Sequence, residues 1–155
     1  MRLTGTVSSG LGRAHIFMAQ HHYQEQFKAL LGGTAWPGTL NLTIEGDDLV
    51  NYIALRKESG IDTLDASDED RSAASQVDVS MHELHRIRGF LRDGVSFGGA
   101  TAFSASLEFE GNSTECAILI PDLTRHTDVV EIIACHFLRD KLSLNDDDVV
   151  QIHVN

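Results

Sequence analysis

A small, mainly β fold closed into a barrel is the class that this sequence predicts. Three observations carry it: the strand-like segments are many and short, the helical segments are few, and both chain ends are strand-like. At 155 residues the chain has the length of one domain, and its 42% hydrophobic content is enough for one core without staples.

Residues 2–8 (RLTGTVS) alternate and carry β-branched side chains, which predicts a first strand, followed by a small-residue loop Ser8-Ser9-Gly10-Leu11-Gly12-Arg13. Over 22–31, Tyr23, Phe27, Leu30 and Leu31 recur at helical spacing, and Gly32-Gly33 supplies a stop. Pro37-Gly38 marks a turn into an alternating strand at 39–44. Residues 57–86 are acidic, rich in Ser and Asp and poor in aromatics; they read as a surface excursion, partly mobile, rather than a second domain. Strands are expected next around 86–91, 101–109 and 115–120, punctuated by Gly94, Gly98-Gly99 and Gly111-Asn112. Val129 to Ile133 reads as a strand, His136 to Leu142 as a short helix, and residues 149–154 (VVQIHV) as the last strand. The expectation is one domain over residues 1–155 with an acidic surface insertion at about 57–86.

Charge narrows the function. Twelve basic against 23 acidic residues give a net charge of -11, which argues against a nucleic-acid-coating surface. Three lysines stand against nine arginines and fourteen aspartates, a balance suited to a salt-adapted organism. No stretch approaches the roughly 20 apolar residues that cross a bilayer, and residues 1–15 lack a signal peptide's apolar run, so no membrane partner and a cytoplasmic location are expected. Cys116 and Cys135 have no CxxC spacing and read as reduced thiols.

Three features depart from ordinary strand and loop composition. Gly10-Leu11-Gly12 directly follows a strand, where backbone N–H groups can converge on an anion, with Arg13 and His15 as further donors; a plain tight turn is the competing reading. The ending of a Walker loop is absent, as is a full Rossmann fingerprint. Thr39 and Asn41 share one strand face while Leu40 and Leu42 take the other. A hydroxyl and an amide oxygen are neutral hard ligands, suited to Mg²⁺ that arrives with phosphates; two polar residues on a solvated face is the alternative. Glu131 interrupts an apolar run, so it either lies exposed at a sheet edge or is buried with a partner, and a cleft beside bound hydroxyls would satisfy it. His21-His22 and the His82/His85 pair join no metal-ligating pattern, and no G-x-S-x-G elbow occurs.

The motifs SSGLGRA at 8–14, PGTLNL at 37–42, ILIPDLTRH at 118–126 and VVEIIA at 129–134, with the terminal LRDKLSLNDDDVVQIHV, together resemble the archaeal CTP-dependent riboflavin kinases. The likeness covers residues 2–55 and 86–155 in the same order. It implies a six-stranded cradle-loop barrel related to swapped-hairpin folds, with a few short helices. The implied reaction is transfer of the CTP γ-phosphoryl group to the ribityl 5′-hydroxyl of riboflavin, giving FMN and CDP with Mg²⁺.

By position, the resemblance assigns Gly10, Leu11, Gly12, Arg13, Ala14 and His15 to the nucleotide, with His136, Phe137, Leu138 and Arg139 as the second half of its pocket. It gives Mg²⁺ to Thr39 and Asn41, and the flavin or its phosphate-bearing chain to Thr124 and Glu131. Partners are then riboflavin/FMN and CTP/CDP, with no nucleic acid, and a monomer is expected. Cys135 stands where the family usually has proline, Asp147 replaces the glycine of a final Asp-Gly-Asp turn with modest strain expected, and the span from Thr124 to Glu131 is one residue shorter than usual. Two non-enzymatic readings compete: a flavin-binding module, and a swapped-hairpin DNA-binding regulator that the net charge disfavours.

Overall fold

The computed structural model describes residues 1–10, 14–124 and 126–155. Its strands are β1 (Arg2–Ser8), β2 (Leu40–Thr43), β3 (His85–Ile87), β4 (Phe90–Arg92), β5 (Val95–Phe97), β6 (Ala100–Phe109), β7 (Asn112–Pro121), β8 (Val129–Ile133) and β9 (Val149–Val154). The helices are α1 (Ala14–Met18), α2 (His21–Leu31), α3 (Gly46–Glu58), α4 (Asp68–Ala74) and α5 (Leu138–Lys141).

Six strands form a closed antiparallel ring in the order β6-β7-β8-β2-β1-β9, because β9 pairs both with β1 (Leu3 opposite Ile152) and with β6 (Leu107 opposite Ile152). Closure removes the exposed edges from these strands, and β3 pairs with the first residues of β6, Ala100 to Ala102. The expected mainly β, six-stranded barrel with a few short helices is the observed architecture. Strand alternation sends Leu3, Val7, Leu40, Leu42, Phe103, Ile118, Val130, Ile132 and Ile152 into one core, all at most 6% exposed. Each such side chain contributes roughly 1.5–3 kcal/mol by leaving water. The opposite face of β6, β7 and β8 carries Ala102, Ala117, Leu119 and Ile133, and α2 covers it with Tyr23 and Phe27. Among the described residues, no helix is long and apolar enough to cross a membrane.

Two expectations need correction, and one helix was not expected. The stretch at 86–91 is not one strand: it breaks after Ile87, and β4 folds back with β5 as a separate hairpin. The reason is Gly89, where a Cβ would collide with the carbonyl oxygen of Phe97, so the chain crosses the hairpin's exit there. The acidic stretch at 57–86 is partly helical: it holds the end of α3 and all of α4, capped by the Ser67 hydroxyl accepting from the Asp70 N–H at 3.1 Å. It also sends Ala74 and Val79 into the barrel core. Helix α3, unannounced by any periodic pattern, buries five consecutive residues from Tyr52 to Arg56, because the barrel lies on one side and α4 on the other.

Candidate active site

The outer barrel face that α2 covers over β7 and β8 continues past it as a polar row. Ser8 of β1 lies opposite Asn41 of β2, and Asn41 lies opposite Glu131 of β8, which itself neighbours Leu119 of β7. Directly paired residues project to the same face, so Ser8, Asn41 and Glu131 stand side by side across three strands. A cleft of about 610 Å³ opens over this row, lined by Ser8, Ser9, Gly10, Ala14, His15, Phe17, Trp36, Pro37, Gly38, Thr39, Asn41, His126, Glu131 and Arg139. A smaller recess of about 70 Å³ adjoins it between β2 and α5, lined by Trp36, Thr39, Ile132, His136, Phe137, Leu138 and Arg139 among others.

Asn41 is only 8% exposed, so the solvated-face reading of its strand is corrected. The loop after β1 covers it: a Cβ on Gly10 would collide with Asn41 Nδ2. Only glycine lets the backbone approach the amide this closely. On the other side of the amide, the Thr39 hydroxyl donates to Asn41 Oδ1 at 3.0 Å. That spacing allows a test of the expected metal. Two oxygens at adjacent corners of a Mg²⁺ octahedron with bonds of about 2.1 Å stand about 3.0 Å apart. The Thr39–Asn41 pair therefore fits one ion. Among the described residues, no group of three or more His, Cys, Asp or Glu side chains could hold a metal by itself.

Glu131 is half-buried on a strand flanked by β7 and β2, which removes the sheet-edge alternative. Burial raises its carboxyl above the usual glutamate range, and the nearby His126 works in the opposite direction. Arg139 reaches the cleft from α5. Its Nη2 donates to the Ser8 carbonyl at 3.3 Å and to Asp146 Oδ1 at 2.7 Å. The other oxygen of Asp146 accepts from the Ser9 hydroxyl at 2.7 Å, and these two donors hold the carboxyl below the usual aspartate range. One carboxylate thus ties the loop after β1 to α5. Next to it, Asp147 adopts φ +75°, the left-handed conformation expected where the family has glycine.

Of the residues singled out from sequence, Gly10, Ala14, His15, Thr39, Asn41, Glu131 and Arg139 surround the one cleft. His136, Phe137 and Leu138 line the adjoining recess. Leu11, Gly12 and Arg13 lie outside the described residues. Thr124 is not among the lining residues; its hydroxyl accepts from the His126 N–H at 3.3 Å, and His126 faces the cleft instead. Sequence reading passed over Phe17, Trp36 and His126. The signal for Trp36 was its place before the Pro37-Gly38 turn, and for His126 its place at the end of the ILIPDLTRH motif. Both cysteines are free thiols, and burial pushes that of Cys116 up to about 12.

Fold and cleft together define a closed six-stranded barrel with a polar, glycine-covered cleft on its outer face. The CTP-dep_RFKase family model, described as Domain of unknown function DUF120, matches residues 7–79 and, in a second and overlapping match, residues 62–154. The chain is 35% identical over 153 residues to a riboflavin kinase of Methanoculleus marisnigri, covering 98% of this chain and 56% of that one. It is 30% identical over 152 residues to a riboflavin kinase of Thermoplasma acidophilum (98% and 56%) and 31% identical over 156 residues to one of Halobacterium salinarum (99% and 57%). The chain spans a little over half the length of these curated relatives. The protein belongs to the CTP-dependent riboflavin kinase family.

Proposed function

We propose that this protein is a riboflavin kinase, transferring the γ-phosphoryl group of CTP to the ribityl 5′-hydroxyl of riboflavin and releasing FMN and CDP. One observation carries the reading: the Thr39 and Asn41 oxygens stand 3.0 Å apart beneath Gly10, with Glu131 opposite Asn41 in the same cleft. The riboflavin kinases among its relatives and the CTP in the family's name support the choice of substrates.

Phosphoryl transfer requires mainly alignment and neutralisation of charge, since the transition state is loose. Thr39 and Asn41 would hold Mg²⁺, which would supply positive charge against that of the triphosphate. Arg139 adds a fixed cation, held in place by Asp146. Glu131 accepts a hydrogen bond from the 5′-hydroxyl and directs its oxygen at the γ-phosphorus, a positioning effect worth several kcal/mol. The new bond joins that oxygen to the γ-phosphorus, the bridging bond to the β-phosphate breaks, and CDP leaves with its electron pair. The hydroxyl proton is shed as the bond forms, and Glu131, the carboxylate of the row, accepts it.

Incubating riboflavin with CTP, ATP or GTP and Mg²⁺, with FMN read by chromatography, tests the reading. FMN appearing with CTP well ahead of the other two supports it. Flavin binding with no FMN from any nucleotide would reassign the chain as a flavin-binding module.

A further inference from the structure

Thr101 of β6 is a polar residue with no exposure, and Arg86 of β3 stands directly opposite it. The Arg86 guanidinium covers that hydroxyl, donating to it from Nη1 at 3.2 Å, and reaches on to Asp122, just beyond the end of β7. There the contact is bidentate, Nη1 to Oδ1 and Nη2 to Oδ2, each at 2.7 Å. The pair lies against the backbone of Gly99, which leaves no room for a Cβ beside Arg86 Nη2 and Asp122 Oδ2. The Asp122 N–H donates to the Gly99 carbonyl at 3.0 Å. The guanidinium holds the Asp122 carboxyl below the usual aspartate range, so the pair is ionised at neutral pH.

Stability does not account for this geometry. The two side chains are 47% and 37% exposed, and ion pairs so exposed contribute at most about 1 kcal/mol. What the pair holds is the turn that follows β7. In that turn Leu123 is 87% exposed and adds nothing to the core, while the Thr124 hydroxyl accepts from the His126 N–H. Among the described residues of the turn, Asp122 is therefore the side chain that fastens it to the barrel. Four residues on, His126 lines the cleft that also holds Glu131. Neither Arg86 nor Asp122 lines that cleft, and Arg86 borders a separate groove of about 520 Å³ between α2 and β3.

We infer that the Arg86–Asp122 pair is a positioning device for the acceptor side of the cleft: it fixes where His126 stands near Glu131, and through His126 it sets the hold on riboflavin. The inference rests on the kinase reading and adds to it two residues outside the cleft. Arginine is needed rather than any cation, because its planar fork meets both carboxylate oxygens while still covering Thr101. A lysine keeps the charge but makes a point contact, about which the turn can swing. The nucleotide side is independent of the pair, since Asn41 is carried by β2 and Arg139 by α5.

Flavin fluorescence gives the riboflavin Kd, and steady-state FMN formation gives the KM for each substrate. Both are measured on the full chain unaltered and as Asp122→Asn, Arg86→Lys, His126→Ala and the Asp122→Asn, His126→Ala double variant. Asp122→Asn and Arg86→Lys are each expected to raise the riboflavin Kd about fivefold to twentyfold, with the KM for CTP within about twofold. Melting temperatures should stay within about 2 °C of the parent. In the His126→Ala background, Asp122→Asn is expected to add less than about twofold, because its effect runs through the ring already removed. A merely structural pair would give effects that multiply. Multiplying effects, an unchanged riboflavin Kd in Asp122→Asn, or a KM for CTP that rises in step overturns the inference. Riboflavin binding by the unaltered chain without FMN removes the kinase reading and leaves the cycle in Kd to decide the pair. FMN formation with multiplying effects keeps the kinase and removes the pair, and a chain that binds no riboflavin removes both.

Discussion

Asn41 stands directly opposite Glu131 in the pairing of β2 with β8, on the outer face of the barrel rather than toward its core. The pairing brings a neutral amide, already engaged by Thr39, beside a half-buried carboxylate. The two side chains serve different ends of one reaction in the proposed mechanism, the amide at the phosphates and the carboxylate at the hydroxyl. Their spacing is set by a strand register, which is among the more rigid references a fold offers.

Gly10 is the tightest point above this row. Gly10→Ala places a methyl group against Asn41 Nδ2, so either the loop lifts or the amide rotates away from Thr39. Turnover is expected to fall at least tenfold with a stability change below about 1 kcal/mol, since Gly10 is exposed. Steady-state kinetics beside thermal melting check it; a variant with unaltered turnover would show that the loop's close approach is incidental.

Glu131 gives a pH signature with a definite sign. Burial raises its folded-state carboxyl above the ordinary value of 4.5, so the folded protein prefers the protonated form. Stability from this group is present below the unfolded-state value and is lost as pH rises through the raised one. Glu131→Gln is therefore expected to melt higher than the parent at pH 7, with the gain vanishing near pH 4. FMN formation should drop about tenfold to a hundredfold while CTP affinity is nearly kept. Melting curves across pH 4–8 test the first part, and equal gains at both ends would contradict it.

Asp146 bridges Arg139 and Ser9 from an exposed position, where ion pairs add little stability. Asp146→Ala should leave stability nearly unchanged yet raise the KM for nucleotide severalfold, because Arg139 and Ser9 lose their common anchor. The KM for riboflavin is the control. A rise in that constant alone would place the bridge on the other substrate.

Arg56 carries the structural counterpart. Its side chain is buried in α3, with Nη1 and Nη2 each donating to Asp65 at 3.2 Å, and Nε has no hydrogen-bond partner among the described residues. Asp65→Asn strips the buried guanidinium of its counter-charge and is expected to cost about 2–4 kcal/mol. Denaturant unfolding measures the loss, which should leave KM values unchanged for protein that remains folded. A loss under 1 kcal/mol would mean that the turn before α4 leaves Arg56 at little cost.

Sequence patterning revealed the strands that obey simple alternation and hid the elements that do not. Residues 2–8, 129–133 and 149–154 match β1, β8 and β9 residue for residue, because each strand sends one face to the core. Helix α3 was invisible because a helix buried on nearly every side has no polar stripe to set its period. The break at Gly89 depends on a long-range crossing of the Phe97 carbonyl, which no local pattern encodes. In the cleft, Thr39, Asn41 and Glu131 were legible as polar residues out of place in strands. The covering of Asn41 by Gly10, and the exposure of Trp36, arise only when β1, β2 and β8 are brought together.

The cation pair is the centre of the account, and the water-proton relaxation of Mn²⁺, standing in for Mg²⁺, tests it most directly. Measurements are made with protein and CDP together, with protein alone and with CDP alone. A strong enhancement in the ternary mixture, little with protein alone, and loss of the ternary signal in Asn41→Ala is the predicted result. Equal enhancement without nucleotide, or a full ternary signal in Asn41→Ala, would contradict it.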